Sequence, residues 1–131
     1  WPALDPMGNV LGASVVTIDA VSANRRELIL KGLPPNYQLR RGDMIGVQWG
    51  ASPVRYGLHR IVVSADADAT GRTGWNEVTP AYQAALQPNS PASLARPAIK
   101  AIIDPGSVQR GARQGNGLHA GAGFSFSQTV R

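Results

Sequence analysis

Residues 27–80 constrain the fold more than any other part of the chain. They run as short apolar segments cut by Gly, Pro and Asp: Glu27-Leu-Ile-Leu-Lys-Gly-Leu-Pro-Pro-Asn-Tyr-Gln-Leu-Arg-Arg-Gly-Asp43, then residues 44–49 and 54–63, then Asp66-Ala-Asp-Ala-Thr-Gly71. Apolar runs of strand length between turn residues describe a compact antiparallel β unit. The same stretch contains no evident reaction chemistry, so it reads as architecture.

The 131 residues, 43% of them hydrophobic, supply one modest core and therefore one domain, 1–131. The absence of cysteine removes disulfides, thiolate metal sites and cysteine nucleophiles together. Stability must come from packing and strand pairing. The chain opens on Trp1 without an initiator Met, so a processed chain, an excised domain or the ordered part of something larger, a fragment of a longer chain, is expected. No run approaches the roughly 18 apolar residues of a membrane helix, and no membrane partner is expected.

Along the chain, residues 1–14 carry two prolines and two glycines and read as an extended entry arm. Residues 15–18 and 27–31 are β-branched or aliphatic runs joined by a hairpin connection at Ser22-Ala-Asn24, and Gly32-Leu-Pro-Pro-Asn36 forces a turn. Arg41-Gly-Asp43 turns into a strand over 44–49 with Ile45, Val47 and Trp49 on one face. The next strand, 54–63, places Tyr56 and Leu58 on one face and runs on unbroken through Ile61-Val-Val63. That change predicts burial on both faces or a bulge near Arg60. Residues 75–79 form a further strand. Thr79 as a cap with Pro80 behind it allows one or two helical turns before Pro88. Residues 93–96 and 98–103 are short strands split by Pro97. Residues 105–123, with six glycines, have almost nothing to bury and predict a long flexible Gly/Arg loop. After it Phe124, Phe126, Gln128 and Val130 alternate with polar residues, and this last strand is expected to rejoin the sheet.

The fold class is therefore all-β, a small antiparallel barrel or sandwich of about six to nine strands. Ile45, Val47, Trp49, Leu58, Ile61, Val63, Ile99, Ile103, Phe124 and Phe126 are the expected core. On that basis, truncating Phe124 or Phe126 to Ala costs about 3–5 kcal/mol.

The net charge is +5, with 13 Lys and Arg (11 of them Arg) against 8 acids. The basic residues are scattered singly or in pairs, such as Arg25-Arg26 and Arg40-Arg41, with no dense tract. The pattern suits solubility and an acidic protein neighbour better than nucleic acid. Arg110-Gly111 and Arg113 resemble RNA-binding Gly/Arg segments in composition, but the repeat is short and lacks interleaved aromatics. Docking on an adjacent subunit is the better reading.

Asp66-Ala-Asp68-Ala-Thr70-Gly71, followed by Glu77, approaches the spacing of a calcium loop. Thr70 at the fifth position, Thr73 at the eighth and strands on both flanks favour a hairpin turn with Asp66 and Glu77 facing solvent. His59 and His119 lie 60 residues apart without an acidic cluster, and no Gly-x-Ser-x-Gly occurs. His59 reads as a partly buried structural residue. No catalytic, cofactor-binding or metal-binding residue is assigned, and no cofactor is expected.

Several segments together resemble the C-terminal part of tail proteins from long-tailed bacteriophages and prophages. They are Leu28-Ile-Leu-Lys-Gly-Leu-Pro, Leu39-Arg-Arg-Gly-Asp43, Tyr56-Gly-Leu-His-Arg-Ile, residues 63–71, Val78-Thr-Pro80, Arg96-Pro97 and Phe124-Ser-Phe126, with Asp5-Pro-Met-Gly8 similar to the segment leading in. The resemblance spans most of the chain and is carried by glycine and proline punctuation. It implies a non-enzymatic distal-tail-like protein of the virion, assembled in the bacterial host cytoplasm, with the tail tube, the hub and copies of itself in a six-membered ring as partners. It also implies that a ring-forming domain would precede Trp1, so that this fragment alone would be monomeric or weakly associated. The alternative is a carbohydrate-binding module for host glycans, with Trp75, Tyr82 and Tyr37 as stacking aromatics.

Overall fold

The computed structural model describes residues 4–113 and 119–129. Its strands are β1 (Thr17–Val21), β2 (Glu27–Lys31), β3 (Gln38–Leu39), β4 (Met44–Trp49), β5 (Arg55–Ile61), β6 (Ala65–Asp66), β7 (Asn76–Thr79), β8 (Ala92–Ser93), β9 (Ala101–Ile103), β10 (Ala112–Arg113), β11 (His119–Ala120) and β12 (Phe126–Gln128). The one described helical turn is a 3-10 turn at Pro105–Ser107. The expected all-β class is what the chain adopts.

Six strands form an antiparallel sheet in the order β1-β2-β7-β5-β4-β8, which curls nearly shut into a barrel. Residues 89–93 close it. On one side β8 pairs with β4 through Gly46↔Ser93 and Val47↔Ala92. On the other, Ile18 N donates to Ser90 O at 2.9 Å, Asn89 N to Ile18 O at 2.7 Å and Ala92 N to Val16 O at 3.0 Å. Pro91 has no N–H, yet its carbonyl accepts from Gln48 N at 3.0 Å. The short β3/β6 pair lies outside this sheet.

The interior is filled by Ile18, Leu28, Leu30, Leu39, Ile45, Val47, Ile61, Val78 and Leu86, all fully buried. Ile45, Val47 and Trp49 are core as the two-residue period predicts, and Ile61, also expected in the core, is fully buried. Strand β5 differs from expectation. Its inward positions are Gly57, His59 and Ile61, while Tyr56 and Leu58 are half-buried. Neither a bulge nor two-sided burial is present, because the strand ends at Ile61, where Ile61 N donates to Asp43 O and Gly42 N to Ile61 O. Val63 lies beyond that end and is exposed, and Ile99 is half-buried.

The helical turns allowed after Thr79 do not form. Tyr82 is buried, its N–H donates to Arg25 O at 3.0 Å, and its hydroxyl lies 2.8 Å from Ser22 O and 2.9 Å from Glu27 O. Those tertiary bonds hold residues 80–87 against the β1–β2 turn and override the local capping signal. The entry arm is looped rather than extended. Leu4 bridges Val10, and the Asp5 carboxylate accepts from the backbone N–H groups of Met7 (3.0 Å), Asn9 (2.7 Å) and Gln38 (2.9 Å) and from Asn9 Nδ2 (2.8 Å). Burial would raise the Asp5 pKa, but these four donors together hold it below the ordinary value.

A buried polar cluster fixes the other side. Thr73 Oγ1 accepts from Leu30 N at 3.0 Å and from Asn76 Nδ2 at 2.5 Å, and donates to Gly74 O at 2.9 Å. Beside it Gly71 has φ +78°, and a Cβ there would stand 2.0 Å from Leu33 O. Both the torsion and the contact require glycine. Gly42 has φ +101° with open space around it. Gly42→Ala is therefore expected to cost about 1–3 kcal/mol from the torsion alone, and Gly71→Ala clearly more, as read by denaturant unfolding.

Candidate functional site

The chain leaves the barrel at Pro97 and Ala98, whose backbone packs so closely on Gly46 that a Cβ there would meet both at 3.0 Å. Lys100 then ties the departing strand down: its Nζ donates to Val54 O at 2.9 Å and lies 5.3 Å from the centre of the Tyr56 ring. Beyond this point β9 pairs with β12, with Ile103 opposite Phe126, Ile102 opposite Ser127 and Ala101 opposite Gln128. The last strand therefore does not rejoin the barrel sheet; it completes a separate two-stranded ribbon.

The ribbon continues outward. Asp104 N donates to Ser125 O, and Ser107 Oγ accepts from Ser125 N at 2.7 Å. Gln109 and Gly123 form a bridge, and β10 pairs with β11. Part of the segment expected to be a structureless Gly/Arg loop is thus a β ladder, while residues 114–118 lie outside the described residues. So does Val130, the last position of the expected alternation.

Register places Phe124, Phe126 and Ile103 on one face and Ile102 on the other. Both faces meet solvent: Phe124 is 61% exposed, Phe126 58%, and Ile102, Ile103 and Val108 half or more. The expectation that Ile103, Phe124 and Phe126 are core is thus corrected. Alternation marks a strand, but burial also needs a second layer, and among the described residues none covers the ribbon. The two phenylalanine rings lie 6.3 Å apart and form a continuous apolar surface. Exposed apolar side chains grouped in this way make the ribbon the candidate interaction surface.

The charge divides with the architecture. Residues 94–131 hold five basic residues and one acid, a net +4, whereas residues 1–93 are nearly balanced at +1. Arg72 and Lys31 on the barrel wall both contact Asp19, at 2.7 Å and 3.2 Å, and Arg40 bonds to Gln38. The basic excess belongs to the end of the chain that carries the ribbon.

The three aromatics considered for sugar stacking do not converge. Trp75 is 53% exposed, but Tyr37 and Tyr82 are buried in the core cluster. The Asp66–Glu77 motif is a hairpin turn: Asp68 Oδ1 accepts from Thr70 N (2.8 Å), Thr70 Oγ1 (2.6 Å) and Arg72 N (3.0 Å), and Glu77 sits in β7 opposite Glu27. Among the described residues no group of three His, Cys, Asp or Glu side chains could hold a metal ion, and no helix is long and apolar enough to cross a membrane.

His59 is 4% exposed and structural. Its Nδ1 lies 2.7 Å from Pro80 O, and because a carbonyl only accepts, Nδ1 carries the proton. The ring meets Tyr82 edge-on at 6.5 Å. Gly57 makes room for it, since a Cβ there would be 2.9 Å from Nε2 and 3.0 Å from the Trp49 ring. His119 is in β11, and its side chain lies outside the described residues. The residues that sequence reasoning missed are Ile102, Val108 and Lys100; the only signal for the ribbon was Phe124-Ser-Phe126, which points equally to a core strand.

No family model, no curated protein and no solved structure matches the chain.

Two outcomes follow from this geometry. Phe124→Ala and Phe126→Ala should each change the unfolding free energy by about 0.5 kcal/mol or less, measured by urea titration, because the rings are already in water. Burial pushes the His59 pKa down, against the opposing effect of the Pro80 carbonyl. The unfolded chain then binds the extra proton first, so stability is full above about pH 6.5 and declines as pH falls through the lowered folded value. His59→Gln should flatten that decline in thermal melts between neutral and mildly acidic pH.

Proposed function

We propose that the chain is a structural, non-enzymatic component of a phage tail tip, a distal-tail-like β domain that works by protein–protein assembly. The observation that carries this reading is the exposed ribbon, with Phe124, Phe126 and Ile103 on one face and Ile102 on the other, anchored at Lys100 and left uncovered by the barrel. A two-stranded ribbon is marginal in water alone and gains stability when another surface covers it. The resemblance of residues 28–34, 39–43, 56–61 and 124–126 to tail proteins supplies the setting: the tail tube, the hub and a ring of six copies in the virion. A built interior of tightly packed side chains, with His59 satisfied at Nδ1 and locked against Tyr82, suits a scaffold.

The test is incorporation. An epitope-tagged chain expressed during phage or prophage induction should be found in purified tails. The Phe124→Ser/Phe126→Ser double variant should accumulate as a folded protein yet be depleted from particles by about tenfold or more. Recovery of wild type and variant at equal levels in tails, or absence of the wild type from them, would overturn the reading.

A further inference from the structure

We infer that the β9–β12 ribbon docks on an apolar surface with an acidic rim belonging to a different protein, and that its own positive charge keeps it from pairing with a second copy of itself. The inference rests on the assembly reading above and names the chemistry of the partner.

Three observations on the ribbon converge. Its apolar surface is large for so short an element, since a phenylalanine covers roughly 150–250 Å² when buried and Phe124 and Phe126 are both more than half exposed. Basic residues flank it along the chain: Arg96 precedes β9, Arg110 follows the 3-10 turn next to the Gln109–Gly123 bridge, and Arg113 is the last residue of β10. Arg96 and Arg110 are exposed, and Asp104 is the one acid between residues 94 and 131. The Asp104 carboxylate is spent locally, accepting from Gly106 N at 3.1 Å.

Self-pairing would bring two +4 segments together around a desolvated centre, where charge repulsion is least screened. An acidic rim on the partner reverses the sign. The apolar centre then supplies the adhesion, and the arginines supply orientation and discrimination against copies of the same chain. This division suits a protein that must meet its own copies at high local concentration without joining them through this element.

The experiment uses two full chains. One is wild type; the other carries Arg96→Glu, Arg110→Glu and Arg113→Glu, leaving residues 94–131 with two basic residues and four acids while keeping the apolar face and Lys100. The reversed chain is thus a probe with the partner's inferred chemistry. By sedimentation velocity at about 50 mM salt each chain alone should be monomeric, and the mixture should form a 1:1 complex. That complex should weaken by about tenfold or more at 500 mM salt, and disappear when Phe124→Ser/Phe126→Ser is introduced into either partner. Circular dichroism and thermal melts of each chain confirm folding. A mixture that stays monomeric, a wild type that dimerises by itself through the phenylalanines, or a complex indifferent to their loss would each overturn the inference. Since the assay contains no tail protein, its failure would leave the incorporation result standing, and failure to incorporate would leave this result standing.

Discussion

The closure of the barrel by residues 89–93 is the constraint on which the rest depends. This short segment serves two strands at once, giving its Ser90 carbonyl to Ile18 in β1, its Ala92 amide to Val16 just before β1, and its Pro91 carbonyl to Gln48 in β4. Without it β1 and β4 would both be open edges, with unpaired donors and acceptors beside a dry interior. With it, Ile18 and Val47 both lie fully buried in one core cluster. A proline in the middle of the seam is tolerated because only its carbonyl is called on.

Polar groups settle what apolar packing leaves free. Thr73 and Asn76 sit fully inside and bond to Leu30, Leu28 and Gly74, so β2 and β7 have one register. Asp5 does the same for the entry loop with four donors around one carboxylate. The Tyr82 hydroxyl holds the β1–β2 turn from the opposite end. Each is a side chain bonding to distant backbone, which converts a loosely specified barrel into one arrangement.

The sequence was legible where a local rule and the tertiary outcome agree. Alternation in residues 44–49 gave the inward face of β4, and Asp68 with Gly71 gave the hairpin, because strand period and turn torsion are local properties. It misled where burial depends on what lies opposite. Phe124 and Phe126 alternate as cleanly as Ile45 and Val47, but among the described residues β12 pairs with β9 alone, and no residue pattern within 124–128 announces the missing layer. In β5 the inward face carries glycine and histidine, residues that a hydrophobic count ignores, so Tyr56 and Leu58 drew the assignment instead. The closing segment was hidden for a similar reason: Pro88 reads only as a stop to a helical turn, whereas the bonds of the segment behind it come from residues more than forty positions away in β4 and about seventy away in β1.

That separation shapes how the chain comes into being. The outer edge of β1 leaves the ribosome about seventy residues ahead of its partner at residues 89–92, which is made only after most of the barrel has been translated. Through that interval the edge stands open, and the final closure must gather two ends that are remote in the chain, a step that slows folding in β proteins of high contact order. The seam that gives the finished barrel its integrity is therefore also the last part of the barrel to be synthesised, and its strand edges have no partner before residue 93 is free.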